Sequence, residues 1–254
     1  MHRLEVEGIS KAFGGVQAVD NVSIKVKPNE IISVIGPNGA GKTTVFNLIS
    51  GVYKTDSGRV ILEGSDLTGK SQHEVTRAGI ARTFQNIRLF KGLNVLENVM
   101  TAHDPIIQYN LLDTILSLPK KRRLDKQNRE LSMHYLEMTG MAEFADEDPF
   151  NLPYGLQRKL EIARALATNP KVLLLDEPAA GLNPSEVLEF IELIKQLHSS
   201  LDLSIIIIDH RMQVVMELSK WIYVINFGKM LAEGTPTEIQ NNDEVTRAYI
   251  GEED

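Results

Sequence analysis

Residues 36 to 43 read Gly36-Pro37-Asn38-Gly39-Ala40-Gly41-Lys42-Thr43, directly after the apolar run Ile31-Ile32-Ser33-Val34-Ile35 and directly before a helix-like stretch, Thr44 to Ser50. An apolar strand, a glycine-rich loop and a helix in that order make a cradle for phosphate. Glycines let the backbone wrap an anion closely and turn successive N–H donors inward, at dihedrals that a Cβ forbids. The helix adds its positive N-terminal end, Lys42 supplies a cation for the outer phosphates, and the Thr43 hydroxyl is placed to ligate Mg²⁺.

The rest of the chain suits such a unit. Four short apolar runs, Ile31 to Ile35, Val172 to Leu175, Ile205 to Ile208 and Ile222 to Ile225, lack in/out alternation. Runs of this length suit strands buried on both faces, and helical segments separate most of them, so a largely parallel α/β sheet is expected. The amino-terminal region differs. There Val22, Ile24 and Val26 alternate with Ser23 and Lys25, and Gly58 to Gly64 is bracketed by glycines, which predicts antiparallel strands with one wetter face. From Asn86 to Asn151 the apolar residues change period. Leu111, Leu112, Ile115 and Leu116, then Leu131, Tyr135, Leu136 and Met138, fall at helical spacings and predict an inserted helical subdomain.

Composition removes several classes of function. The 254 residues include no cysteine, so a disulfide frame and a Cys-based zinc site are excluded, and a reducing compartment is the expected home. A net charge of −7 argues against non-specific nucleic-acid binding, and no nucleic-acid partner is expected. The first residues lack an apolar signal core, and no apolar run approaches the 18 or so residues that suggest a membrane span. The basic cluster Lys120-Lys121-Arg122-Arg123 reads as the solvated start of a helix or as a contact for lipid headgroups or a partner protein.

Two further strand ends carry chemistry. Val172-Leu173-Leu174-Leu175 runs into Asp176-Glu177, and these carboxylates lie beside the phosphate loop if the two strands are neighbours. Asp176 then holds Mg²⁺ through water, and Glu177 orients and deprotonates an attacking water as general base. Ile208 is followed by Asp209-His210, and a histidine there reaches a terminal phosphate from a position like that of Asp176. The other histidines, His2, His73, His103, His134 and His198, show no metal-ligand spacing.

Taken together, these residues make the chain resemble, from end to end, the ATP-binding subunit of an ABC transporter, and within that family the subunits that drive branched-chain amino-acid uptake. The resemblance implies a P-loop NTPase (RecA-like) core spanning residues 1–85 and 156–254, with the inserted helical subdomain at 86–155. It implies that Gly36, Pro37, Asn38, Gly39, Ala40, Gly41, Lys42, Thr43 and Thr44 hold ATP, with Phe13 stacked on adenine. It adds Gln85 of Arg82-Thr83-Phe84-Gln85, which joins the core to the helical subdomain, to Thr43 and Asp176 near Mg²⁺ and to Lys42, Glu177 and His210 as catalytic residues.

Two departures from the family pattern stand out. Gly181-Leu182-Asn183 matches the loop that crosses the dimer interface, with Asn183 where Asp is usual. The signature loop, usually Leu-Ser-Gly-Gly-Gln, is here Leu152-Pro153-Tyr154-Gly155-Leu156. Pro153 offers neither the hydroxyl of Ser nor a backbone N–H, and Tyr154 adds bulk, so this half of the composite site is expected to clamp the nucleotide of the opposite subunit weakly. A different ATPase chain with a standard signature is the expected partner, alongside membrane-spanning permease subunits and, indirectly, an extracytoplasmic solute-binding protein. The implied place is the cytoplasmic face of the plasma or inner membrane. ATPase subunits for urea, other amino acids, or lipid or polysaccharide export share the same phosphate machinery, as do non-transport members of the family.

Overall fold

A computed structural model describes residues 2–103 and 119–250. The chain forms two compact units, Met1–Gln85 with Lys171–Asp254, and Asn86–Pro170.

The first unit opens with β1 (Leu4–Phe13), β2 (Val16–Val26) and β3 (Ile31–Ile35), then α1 (Lys42–Ile49), β4 (Ser57–Leu62), β5 (Ser65–Asp66), α2 (Gln72–Ala78) and β6 (Ile80–Arg82). The second unit supplies α3 (Val95–Met100), α4 (Pro119–Met138) and α5 (Tyr154–Leu166). The chain re-enters the first unit with β7 (Val172–Asp176), α6 (Pro184–Ser200), β8 (Ser204–Ile208), α7 (Met212–Leu218), β9 (Trp221–Asn226), β10 (Lys229–Gly234), α8 (Pro236–Gln240) and α9 (Asp243–Ile250).

The four non-alternating runs form β3, β7, β8 and β9, as expected of strands with two covered faces. They belong to a six-stranded sheet of order β10-β9-β3-β8-β7-β6. Every pairing in it is parallel except that of β10 with β9. The alternating segment becomes β2, where Val22, Ile24 and Val26 are buried and Ser23 and Lys25 exposed, in an antiparallel sheet of order β2-β1-β4-β5. A continuous core joins residues of both sheets to α1, with Phe46 of α1 fully buried among Ile9, Ile24, Ile32 and Ile206. Truncating an aromatic at such a site costs about 3–5 kcal/mol. The helix that starts at the phosphate loop is therefore anchored by its apolar face.

In the second unit, Leu96 of α3, Leu136 of α4 and Leu160 of α5 meet in a separate core with Met141. This core explains a difference in boundary. The sequence reading returns to the catalytic core at residue 156, whereas the compact unit runs to Pro170, because Leu160, Ala163 and Ala167 pack inward on the same core as α3 and α4. The helical spacing of residues 131 to 138 is realised in α4, with Leu136 buried but Leu131 exposed. Leu111, Leu112, Ile115 and Leu116 lie outside the described residues. Among the described residues, no helix is long and apolar enough to cross a membrane.

Candidate functional site

The loop at the end of β3 owes its path to two glycines. Gly36 has φ +151°, and a Cβ there lies 1.9 Å from the carbonyl oxygen of Ile225. Gly41, φ +100°, caps α1, and its Cβ lies 2.5 Å from the carbonyl oxygen of Ala18. Only glycine adopts these angles against neighbouring backbone. The β9–β10 turn fastens the loop from outside, with Gly228 N–H donating to Ala40 O and Asp20 N–H to Gly228 O. No side chain caps α1, so its N-terminal amides point out unclaimed by any capping group.

A cavity of about 230 Å³ opens over this loop, lined by Ala18, by Asn38 through Thr44, and by Glu177 and His210. The residues singled out at three strand ends therefore converge. One premise needs correction: β7 is not the neighbour of β3, since β8 lies between them. Glu177 nevertheless reaches the cavity, because its backbone turns sharply beyond β7. Its φ is +47°, a left-handed conformation that costs a non-glycine residue about 1–3 kcal/mol, and its N–H donates to Ile208 O at 2.7 Å.

Once turned, the Glu177 carboxylate is held on both sides. Gln85 Nε2 donates to Oε2 at 2.7 Å and His210 Nε2 to Oε1 at 3.0 Å. Lys42 is buried, and its Nζ donates to the carbonyls of Gly36 at 2.7 Å and Pro37 at 2.6 Å, so its ammonium is held over the loop. The turn carrying His210 is fixed by Asp209, a residue that sequence reading passed over. Its Oδ1 accepts from Arg211 N–H at 2.8 Å and its Oδ2 from Ala179 N–H at 3.1 Å. Burial pushes the Asp209 carboxyl above the usual carboxylate range, and the bonds from Arg211 and Ala179 oppose that shift. Strand-end position next to His210 was the available signal.

Other expected residues stand differently. Asp176 is 2% exposed and is not among the residues lining the cavity; it is paired with Arg82 at 2.7 Å. Gly36, Pro37, Gln85 and Phe13 do not line the cavity either. Phe13 is 41% exposed and meets Tyr53 edge-on at 5.1 Å between ring centroids, with Lys11 Nζ 5.7 Å from the Phe13 ring. Tyr53, a second aromatic beside it, carried no signal in spacing. In the dimer-interface loop, Leu182 O accepts from Arg211 Nη2 at 2.6 Å, and Asn183 caps α6. Its Oδ1 accepts from the N–H groups of Ser185 and Glu186, both at 3.0 Å, so the amide keeps the acceptor that an Asp would supply.

In the second unit the altered signature starts α5. Pro153, at φ −52° and ψ 151°, is the N-cap and provides no side-chain bond to the helix. The Tyr154 hydroxyl accepts from Arg158 Nη2 at 2.8 Å, and the Arg158 guanidinium stacks 5.3 Å from its ring. Arg158 in turn donates to Glu161 at 3.0 Å in a buried pair. Tyr154 is thereby tied to its own helix, and Gly155 is half-buried.

A Mg²⁺ ion fits the oxygen chemistry of the first unit. Thr43 and Asp176 offer a hydroxyl and a carboxylate, and Mg²⁺ is held by one or two such groups with substrate phosphates supplying others. Among the described residues no cluster of three or more His, Asp or Glu forms a metal cage by itself.

Comparison with known proteins agrees with this architecture. Residues 19–180 match the ABC transporter family, and residues 229–254 match the branched-chain amino acid ATP-binding cassette transporter family. The high-affinity branched-chain amino acid transport ATP-binding protein BraF of Pseudomonas aeruginosa is 44% identical, covering 98% of each chain. LivG of Escherichia coli K12, which bears the same description, is 45% identical with the same coverage. A crystal structure of the ADP conformation of an ATP-binding cassette of an ABC transporter superposes with a TM-score of 0.85 at 33% identity, covering 99% of each chain. The chain belongs to the ABC transporter family, as one of its ATP-hydrolysing cassettes. Cassettes of this family bind nucleotide.

Proposed function

We propose that this chain binds Mg²⁺·ATP over the loop at Gly36 to Thr44 and powers the uptake of branched-chain amino acids through membrane-spanning permease subunits. The observation that carries the enzymatic part is the single cavity in which Lys42, Thr43, Glu177 and His210 meet. Lys42 and the loop amides grip the β- and γ-phosphates, and Thr43 and Asp176 hold Mg²⁺, which neutralises charge on the phosphate oxygens when bound. Glu177, steadied by Gln85 and His210, takes the proton of the attacking water. His210 then remains within reach of the terminal phosphate. Phe13 stacks on the adenine base.

A second cassette completes the site. Two chains face one another head to tail, so that Pro153, Tyr154, Gly155 and Leu156 of one approach the nucleotide held by the other, with Gly181-Leu182-Asn183 at the interface. ATP closes the pair and hydrolysis releases it, and the helical unit passes that motion to the permease near Gln85. Pro153 supplies no donor here, so the native partner is a different chain with a standard signature. Such an assembly is peripheral to the cytoplasmic face of the membrane. An extracytoplasmic binding protein delivers its cargo.

The cargo assignment rests on 44–45% identity to BraF and LivG across nearly the whole chain. The phosphate machinery is indifferent to cargo, so the test must read transport. Co-purification from membranes, reconstitution with the subunits recovered and uptake of labelled leucine, isoleucine and valine is the experiment. ATP-dependent leucine uptake is the expected result. Robust ATPase activity without uptake of these three, but with uptake of urea or another amino acid, reassigns the cargo while leaving the engine intact.

A further inference from the structure

Arg82 has no part in the site described above beyond its pairing with Asp176, yet both of its terminal nitrogens are engaged. Its side chain is 5% exposed. Nη2 donates to Asp176 Oδ2 at 2.7 Å, while Nη1 donates to Asn47 Oδ1 at 2.7 Å and to Ser50 Oγ at 3.1 Å. The Ser50 hydroxyl spends its own proton on Phe46 O at 2.7 Å, which leaves its oxygen to accept from Arg82. The guanidinium carbon lies 5.6 Å from the centroid of the Phe46 ring and 5.2 Å from that of Phe84.

This arrangement links two parts of the site that no strand pairing joins. Asp176 ends β7, and Asn47 and Ser50 belong to the last turn and C-cap of α1, the helix whose first residues are Lys42 and Thr43. Strand β8 separates β7 from β3, so the sheet alone does not set Asp176 against α1. A planar guanidinium has donors in a fixed fork, and it spans a carboxylate and an amide in one rigid step. It also fixes which carboxylate oxygen is used. Oδ2 is committed to Arg82, and Oδ1 is the atom that remains to accept from a water on Mg²⁺.

We propose that Arg82 is the positioning residue for the metal side of the site: it holds Asp176 in one orientation and in register with Thr43 through α1. The proposal rests on the assignment of Asp176 to Mg²⁺. Arg82 does not line the cavity over the phosphate loop, and its effect passes through Asp176 and α1.

The test is Arg82→Lys in the full chain, read by binding of a fluorescent ATP analogue in EDTA and in Mg²⁺, by Mn²⁺ electron paramagnetic resonance in the presence of ATP, and by melting temperature. Lysine keeps the charge but cannot bridge Asp176 and Asn47 together. The expected result is unchanged binding in EDTA, where Lys42 and the loop hold the phosphates, and an about tenfold loss of the tightening that metal brings, the worth of one charge-assisted hydrogen bond. Asn47→Ala combined with Ser50→Ala leaves the ion pair but frees it from α1, and is expected to reduce the same tightening by a smaller factor. If Arg82→Lys lowers the melting temperature while the metal effect is intact, Arg82 only holds the fold together and the proposal is overturned. Asp176→Asn separates the two ideas. Loss of metal tightening in Asp176→Asn but not in Arg82→Lys removes Arg82 alone, whereas its persistence in Asp176→Asn removes the assignment of Asp176 to the metal as well.

Discussion

Helices α1 and α5 both begin without a side-chain cap, and they do so with opposite chemistry. Four other helices cap themselves fully: Ser71 with Glu74, Asn94 with Glu97, Asn183 with Glu186 and Thr235 with Glu238 form reciprocal capping boxes at α2, α3, α6 and α8. At α1 the cap is Gly41, preceded by the exposed Asn38 and Gly39 and followed by the buried Lys42. At α5 it is Pro153, which has no N–H, and the next side chain, Tyr154, is taken by Arg158. Helix starts that satisfy themselves contribute stability and bind nothing, whereas the start of α1 leaves amides and a cation for an anion. The α5 start has given up self-capping without gaining donors. That contrast is the physical basis for expecting two unequal half-sites in the assembled ATPase.

The largest effect that sharpens the contrast lies on the α1 side. Glu177→Gln keeps the shape of the Gln85–Glu177–His210 arrangement but removes the proton acceptor. ATP binding should be retained and turnover should fall about 10²–10⁴-fold, the usual worth of a general base. Single-turnover hydrolysis with radiolabelled ATP measures it, and unchanged turnover rules Glu177 out as the base.

Lys42→Ala comes next. The ammonium makes two hydrogen bonds to loop carbonyls, and these are exchanged for phosphate oxygens on binding. Bonds to charged groups contribute about 1.5–3 kcal/mol each, so calorimetry should show Mg²⁺·ATP binding weakened by about 10- to 100-fold. Wild-type affinity in this variant means that the loop amides alone hold the phosphates.

How much of this was legible beforehand follows from the same physics. The β3–loop–α1 start was readable because glycine, lysine and threonine at fixed spacing have one common purpose, and β7, β8 and β9 were readable because strands buried on both faces are uniformly apolar. Strand β6, only Ile80–Arg82, was too short to show a period. The place of β8 between β3 and β7 is a tertiary outcome that no local pattern encodes. Arg82 looked like an ordinary residue of the Arg-Thr-Phe-Gln stretch. Its importance depends on partners 32, 35 and 94 positions away. The compact helical unit runs past residue 155 because Leu160, Ala163 and Ala167 on the apolar face of α5 join its core, a packing choice that the sequence of α5 does not display.

On the α5 side the expected effects are smaller. Pro153→Ser restores an oxygen at the N-cap, where such a group contributes about 0.5–2 kcal/mol by accepting from the first turn. The melting temperature should rise. If the same hydroxyl also serves nucleotide across a dimer, turnover of the chain by itself should rise about tenfold, and the gap between this chain alone and this chain mixed with its partner ATPase should narrow. Equal turnover of the lone chain and the mixture, with no response to Pro153→Ser, removes the idea of unequal half-sites.

The smallest effect concerns a helix start that does cap itself. At α2 the Glu74 carboxylate accepts from Ser71 N–H at 2.9 Å and from the Ser71 hydroxyl at 2.7 Å. The backbone bond from Ser71 and then its hydroxyl lower the Glu74 pKa from its ordinary 4.5 to about 2. A carboxylate whose pKa is lower folded than unfolded binds fewer protons in the native state, so its contribution is complete above pH 4.5 and is lost as pH falls toward 2. Glu74→Gln should therefore melt below wild type at neutral pH by a small margin, because the group is exposed and screened. That margin should shrink as pH falls from 4.5 to 2, and a margin that stays constant across that range removes ionised Glu74 from the cap. The α5 start has no carboxylate at the matching position, since Leu156 stands three residues after Pro153, and the next residue, Gln157, donates to Leu152 O at 2.8 Å. The stability difference between Pro153→Ser and wild type should accordingly carry no such pH dependence, which separates an end that satisfies itself with charge from one that has none to use.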